Sequence, residues 1–405
     1  MKQGIALRSA LVLGFSRGLR LVSALGLGSR SMAALSAALV AMLSLTGCSG
    51  FFTALTTGTT APGSTTYAYV TNVGTGGAGG TLTCYTLTSG VLAAVSGSPI
   101  TLPATPTSVY VAPNDTFLYV ATQAGLFLYN IAAGGVLTEG NNNTVVYLGP
   151  TFPQSITIDA TSSWLIIANN NSTELDALPL DPTTGLPTTG TPVSVTLTSG
   201  TPAQVAISPA NSSVAIALGT GGTNVFAFSA SSATPWGATP KANAIDLLKN
   251  STTDNAVSFD TTSTYLFIAE STSSTTADTL RKLTLATLNG EVDYPTGKGP
   301  TGILADASGA YVYVTNETDN TISGFSLAAG ALTALTDSPF ATAKAPTAIA
   351  EDSTKTYVVT VGYGNNPNLW LYTFDALNLG TLDVGATTTT GTVDPSLANG
   401  LALSH

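Results

Sequence analysis

The sequence predicts an all-β fold, a seven-bladed β-propeller closed by one C-terminal strand in the N-terminal blade. Three observations predict it: a sevenfold repeat, four strand signals in each repeat, and two chain ends that complement each other. The repeat is a short β-branched and aromatic run: Tyr67–Asn72 (YAYVTN), Phe117–Thr122 (FLYVAT), Trp164–Asn169 (WLIIAN), Val214–Gly219 (VAIALG), Tyr265–Glu270 (YLFIAE), Tyr311–Asn316 (YVYVTN) and Tyr357–Gly362 (YVVTVG). Their starts are 50, 47, 50, 51, 46 and 46 residues apart. A period of roughly 40–50 residues with several strands per unit is the signature of propeller blades.

Within a period, the first strand is a short apolar run after a Pro or a polar turn, as in Pro106–Ala112, Pro153–Asp159, Pro202–Ser208, Asp254–Asp260, Pro300–Asp306 and Pro346–Asp352. A turn rich in Asp, Asn and Ser follows, whose short side chains bond their own backbone and reverse the chain. The aromatic run is the second strand. A third alternates with period two, as in Leu126–Ile131 and Thr321–Leu327, and ends at a glycine turn: Gly90, Gly135, Gly185, Gly290, Gly330 or Gly380. A more polar fourth strand completes the blade on the outside. Blade 4 (Val214–Thr253) is the least regular: Trp236-Gly237 stands in for the glycine turn, and Ala244–Lys249 reads as a short helical insertion.

The ends close the ring. The chain enters at a second strand, Tyr67–Asn72, and leaves after a first strand, Pro395–Ser404. Pairing these two completes blade 1 and leaves only short edges exposed.

Residues 1–47 stand apart as a lipoprotein signal peptide. Arg8, Arg17, Arg20 and Arg30 precede the apolar stretch Met32–Leu45, which is shorter than the ~20 residues a bilayer span needs. It runs into Leu45-Thr46-Gly47-Cys48, similar to a bacterial lipobox, so Cys48 is the expected lipidation site. Residues 48–66 read as a Thr/Gly/Ser-rich flexible tether, and 67–405 as one propeller domain. The expected location is the cell envelope, lipid-anchored at the outer membrane or facing the periplasm, or extracellular.

Without the signal, seven basic residues stand against 22 acidic ones, a net charge of −15. That balance carries no basic footprint for nucleic acid, and phosphorylated ligands are disfavoured with Arg281 as the one mature arginine. Cys84, alone once Cys48 is lipidated, reads as a buried structural thiol.

The turn before Tyr311–Asn316 (Asp306-Ala307-Ser308-Gly309), the run itself and Thr321–Leu327 after it resemble the YVTN-type repeat. With Gly330-Ala331-Leu332 and Gly90-Val91-Leu92, the chain resembles the lactonase-type seven-bladed propellers, the 6-phosphogluconolactonase family, from Tyr67 to Leu403. The resemblance implies a lactone-hydrolase or lactonising activity that uses His, Arg and Glu in a cleft on one face. Here the one histidine is His405, the last residue, so the general base and the oxyanion or phosphate clamp of that pattern are missing.

Strand alternation puts the turn before each first strand and the turn after each second strand on one side of the ring. On that face lie Asn72, Gln123, Gln154, Asn169, Asn170, Gln204, Asp254, Asn255, Glu270, Asn316, Glu317, Asp319, Tyr363, Asn365 and Asn366. Gln154, Asn169, Gln204, Asp254, Asn255, Asn316 and Tyr363 are the candidate ligand-binding residues, suited to a neutral polar small molecule or glycan, with a protein partner as the alternative. The competing reading has these amides satisfying loop backbone. Glu270 and Glu317, from adjacent blades, are the candidate catalytic acids, since two close carboxylates push one pKa upward. No cofactor, no metal and no nucleic acid are expected, the membrane is reached through the lipid only, and the protein is expected to be a monomer.

Two motifs carry no weight. Gly14–Gly18 matches Gly-x-Ser-x-Gly inside the signal, and Gly74–Gly79 matches Gly-x-Gly-x-x-Gly but precedes a strand where a helix is required. The reading is therefore a ligand- or protein-binding propeller, with a lactone hydrolase acting through carboxylates as the alternative.

Overall fold

The computed structural model describes residues 65–74, 79–236, 243–245, 252–275, 277–364, 367–387 and 397–405. The chain divides into Met1–Ala61, outside those residues, and Pro62–His405, which holds the fold. Cys48, Asn365 and Asn366 lie outside the described residues. The domain is a ring of seven antiparallel sheets, each with its first strand innermost.

Blade 1 is ordered Ala398–Leu403, Thr66–Asn72, Thr81–Thr88, Val91–Ala94, so the C-terminal strand closes the ring. Val70 pairs with Leu401, and the Tyr67 N–H donates to Ser404 Oγ at 2.9 Å. Blades 2 to 7 begin with Pro106–Val111, Pro153–Ile158, Gln204–Ile207, Thr253–Phe259, Pro300–Ala305 and Pro346–Glu351. The second strands are apolar on both faces because both faces are covered by neighbouring blades; Leu165, Ile166, Ile167 and Ala168 are fully buried.

In blades 3 to 7 the turn from first to second strand is built on one side chain. Asp159 Oδ1 accepts from the Ser163 and Trp164 N–H groups, and its other oxygen accepts from Thr161. Asp260, Asp306 and Asp352 repeat the arrangement, and Ser208 serves in blade 4.

The glycine turns do more than reverse the chain. Gly135, Gly185, Gly330 and Gly380 have φ of +73°, +69°, +78° and +86°, a region costly for residues with a Cβ. A Cβ on them would also fall 2.2 to 2.8 Å from the side chain of Tyr67, Phe117, Tyr265 and Tyr311, each at the start of the second strand of the preceding blade. Three carbonyls there also accept hydroxyls, Tyr69 to Gly135, Tyr119 to Gly185 and Tyr313 to Gly380. Each such turn is thus a socket that locks one blade to the next.

Blade 4 departs from the pattern. Trp164 Nε1 donates to the Ala230 carbonyl, and Trp236 packs edge-on against Phe226 and Phe228 while its own Nε1 donates to Val193 O in blade 3. The helical insertion expected at Ala244–Lys249 is corrected at its start. Asn243–Ile245 is the outer strand, paired with Thr223–Val225, because it caps an otherwise open sheet edge. The rest of that insertion lies outside the described residues.

Candidate functional site

A cavity of about 410 Å³ runs down the centre of the ring between the innermost strands. Its wall follows from the repeat. At equivalent places near the start of the first strands stand Thr107, Gln154, Ala203, Asn255, Thr301, Thr347 and Asn399, all lining the cavity. Five of them donate to the carbonyl at the start of the next blade: Thr107 to Pro153, Asn255 to Pro300, Thr301 to Pro346, Thr347 to Ala398 and Asn399 to Pro106, at 2.5 to 3.0 Å. This belt passes through the C-terminal strand and is open at Gln154 and Ala203.

One position deeper the wall becomes uneven. Ser108 Oγ accepts the Ile156 N–H, Ser155 Oγ that of Val205, and Gln204 Oε1 that of Val257. These side chains occupy edge donors that would otherwise face the cavity. The matching places of blades 5, 6, 7 and 1 hold Ala256, Gly302, Ala348 and Gly400, which offer no side-chain acceptor. The edge amides of Ile303, Ile349, Leu401 and Val109 are the ones left to the cavity by this rule. The lining contains no charged side chain.

The other sequence-predicted residues fall into three groups. Gln154, Gln204 and Asn255 line the cavity, although Gln204 is engaged by Val257 and Asn255 by Pro300 and by Ser271 Oγ. Asn169 and Asn316 are fully buried: Asn169 donates to Tyr147 Oη and Asp176 Oδ2, Asn316 to Thr321 Oγ1 and Ser323 Oγ. Asn72 clips its strand to Thr81 and Thr83 in the same way. A strand-end amide bonds inward here, since a buried polar group without a partner is costly. Tyr363 and Glu317 are exposed on the loop face, and Asp319 accepts the Lys298 N–H.

Glu270 has a different partner from the one its sequence position suggests. It is fully buried, and the residue paired directly with it across the strands is Asp254, not Glu317. Asp254 Oδ2 accepts from Thr223 Oγ1 at 2.6 Å. On the other side Arg281 Nη1 lies 2.8 Å from Glu270 Oε1, and Arg281 Nε donates to Asp293 Oδ1 at 2.8 Å. The register explains the grouping: Arg281 pairs with Ile268, two residues from Glu270, so both project from the same face of blade 5. Only Asp293 reaches solvent.

Three carboxylates here surround one guanidinium. Burial, then the negative charge of Asp254, pushes Glu270 up to about 8, while Arg281 pulls the other way. Burial also raises Asp254, against the opposing pull of its bonds to Thr223 and Glu270 and of Arg281. Both paired carboxyls are thus held above the usual carboxylate range. Sequence reasoning missed Arg281 as a member; the available signal was a lone arginine in the strand Asp278–Thr284, whose neighbours Leu280 and Leu283 are core residues. Among the described residues no group of three or more His, Cys, Asp or Glu is arranged to hold a metal ion.

Residues 70–205 match the family model described as Lactonase, 7-bladed beta-propeller. A crystal structure of a candidate 6-phosphogluconolactonase from Bacteroides fragilis is similar at 13% identity, covering 85% of this chain and 99% of that one, with a TM-score of 0.64. A Lactobacillus plantarum protein (16% identity, 84% and 100% covered, TM-score 0.62) and the periplasmic gluconolactonase of Pseudomonas aeruginosa (15%, 84% and 99%, 0.61) are similar too. No curated protein matches the sequence. At such identities the structural likeness speaks for the fold. The match over residues 70–205 is a similarity to that family over about a third of the chain, and the fold it shares with these structures is the seven-bladed β-propeller.

Proposed function

We propose that this propeller binds a neutral polar small molecule, a sugar or sugar lactone, at the mouth of its central channel. The observation that carries the reading is the wall: amides and hydroxyls, no charge, and one half whose edge amides are left to the cavity. Such a surface offers donors and acceptors to ligand hydroxyl and carbonyl groups. It offers no cation to a phosphate, so a phosphorylated lactone is a poor fit. The two relatives described as a candidate 6-phosphogluconolactonase and a gluconolactonase support a lactone as the ligand class. Calorimetric titration of the purified protein with neutral sugar lactones, free sugars and glycans tests this. Saturable binding weakened by Asn255→Ala and Asn399→Ala supports it; no heat with any of them, beside a specific protein captured on the loop face, sinks it.

Lactone hydrolysis is the second reading, favoured by the buried Asp254–Glu270 pair. Such a pair holds a proton at neutral pH for delivery to a leaving alkoxide, but it lies behind the wall that Asn255 lines. Turnover well above buffer that Glu270→Gln or Glu317→Gln abolishes would establish hydrolysis. We further propose that the mature protein begins at lipidated Cys48 and resides in the cell envelope. Cys48→Ala should release it from membranes or leave it unprocessed, and unchanged fractionation would refute this.

A further inference from the structure

We propose that an apolar rim on blades 7 and 1 docks on a lipid bilayer, so that the channel mouth with its loop face points away from the membrane. The proposal rests on the Cys48 anchor for delivery, but orientation comes from the rim. Four of the seven exposed large apolar side chains among the described residues lie on these two blades: Leu377 (90% exposed), Leu379 (72%), Val91 (61%) and Val384 (52%). Val91 opens the outer strand of blade 1, Val384 lies in the outer strand of blade 7, and these two strands touch. Leu377 and Leu379 occupy the turn before Gly380, held by Asp375 Oδ1, which accepts the Leu377 and Asn378 N–H groups at 2.6 and 2.7 Å. A fixed turn presenting two leucines to water has no role inside the ring.

Topology puts the start of the domain at the same end. The glycine turns lie beside the first residues of second strands, Gly380 against Tyr311 and Gly135 against Tyr67. Tyr67 is also where the chain joins blade 1, so the tether leaves the domain on the glycine-turn end. From Cys48 to Thr65 is 17 residues, a reach of up to about 60 Å when extended. A tether that long permits any orientation, which leaves the apolar rim to select one. Charge does not draw this end to anionic lipid, since it carries Asp115, Asp181 and Asp375 beside Lys355 and the terminal His405, which lies against Asp115. The fit is to the apolar interfacial layer.

The test uses the processed full-length protein in vesicles of phosphatidylethanolamine and phosphatidylglycerol. Single cysteines replace Leu379 on the rim or Tyr363 on the channel face, each labelled with a polarity-sensitive thiol dye. Buried Cys84, whose thiol burial pushes up to about 12, is not expected to compete for the dye. Lipid-borne nitroxides should quench the rim label and leave the channel-face label bright. Leu377→Ser should weaken rim contact about tenfold, the factor for returning one leucine to water. Equal quenching at both labels, or a rim label shielded only when other envelope proteins are added, overturns the proposal. If Cys48 proves unlipidated, the anchor reading fails separately. The rim is then judged by whether the unlipidated full chain collects on the vesicles and loses this with Leu377→Ser/Leu379→Ser; no collection overturns it.

Discussion

The channel wall and the seam between blades 4 and 5 place polarity in opposite ways. The channel, open to small molecules, is lined by Thr, Ser, Asn and Gln interspersed with Val, Ile, Ala and Leu, without a charge. The seam, closed to solvent except at Asp293, holds Asp254, Glu270 and Arg281. A charged catalytic group is useful where substrate arrives, and here the charges are elsewhere. On the function proposed above, the channel recognises the ligand while the seam fastens blade to blade.

The largest expected effect breaks the seam. Arg281→Leu leaves buried carboxylates without their cation and should cost about 3–5 kcal/mol in denaturant unfolding; a loss under 1 kcal/mol would mean that the pair is not a fastener. Next come the sockets. Gly135→Ala puts a Cβ 2.2 Å from the Tyr67 ring at positive φ and should cost on the order of 2 kcal/mol. Gly97→Ala, equally left-handed but with nothing within 4 Å, should cost less, and equal losses would deny the socket.

Glu270→Gln sharpens the comparison through pH. Below the ordinary carboxylate range both folded and unfolded chains hold the proton. Between that range and about 8 the folded protein keeps a proton that the unfolded chain has released, so stability falls as pH rises and levels off above 8. The slope is at most about 1.4 kcal/mol per pH unit. Glu270→Gln, which keeps a donor toward Asp254, should flatten that slope; an unchanged profile would put the proton elsewhere. The smallest effect on stability is expected in the channel. Thr347→Ala removes one belt bond to Ala398 O and should cost about 1 kcal/mol while weakening ligand binding.

Much of the fold was legible because the repeat writes each blade as a local pattern. Turn aspartates and glycine turns are read within a few residues of sequence. The sockets were not, because their partners are far apart: Tyr69 reaches Gly135 and Trp164 reaches Ala230, each 66 residues on. For the site, alternation put Gln154 and Asn255 on the loop face, and both line the central cavity. It placed Asn169 and Asn316 on the same face without showing that both turn inward to third-strand hydroxyl and carboxylate groups. Glu270 was singled out by position, but its partner Asp254 follows from register across a bulge between Asp254 and Ala256 that periodicity does not reveal.

The most direct test of recognition in the channel and fastening in the seam is one titration series followed by calorimetry and by lactone turnover. A neutral sugar lactone and its 6-phosphorylated counterpart are compared on the wild type, Asn255→Ala/Asn399→Ala and Glu270→Gln. The account predicts that the neutral ligand binds the wild type and Glu270→Gln alike, fails with the channel variant, and outcompetes the phosphorylated one. Tighter binding of the phosphorylated lactone, or turnover that survives the channel variant and disappears with Glu270→Gln, would contradict it.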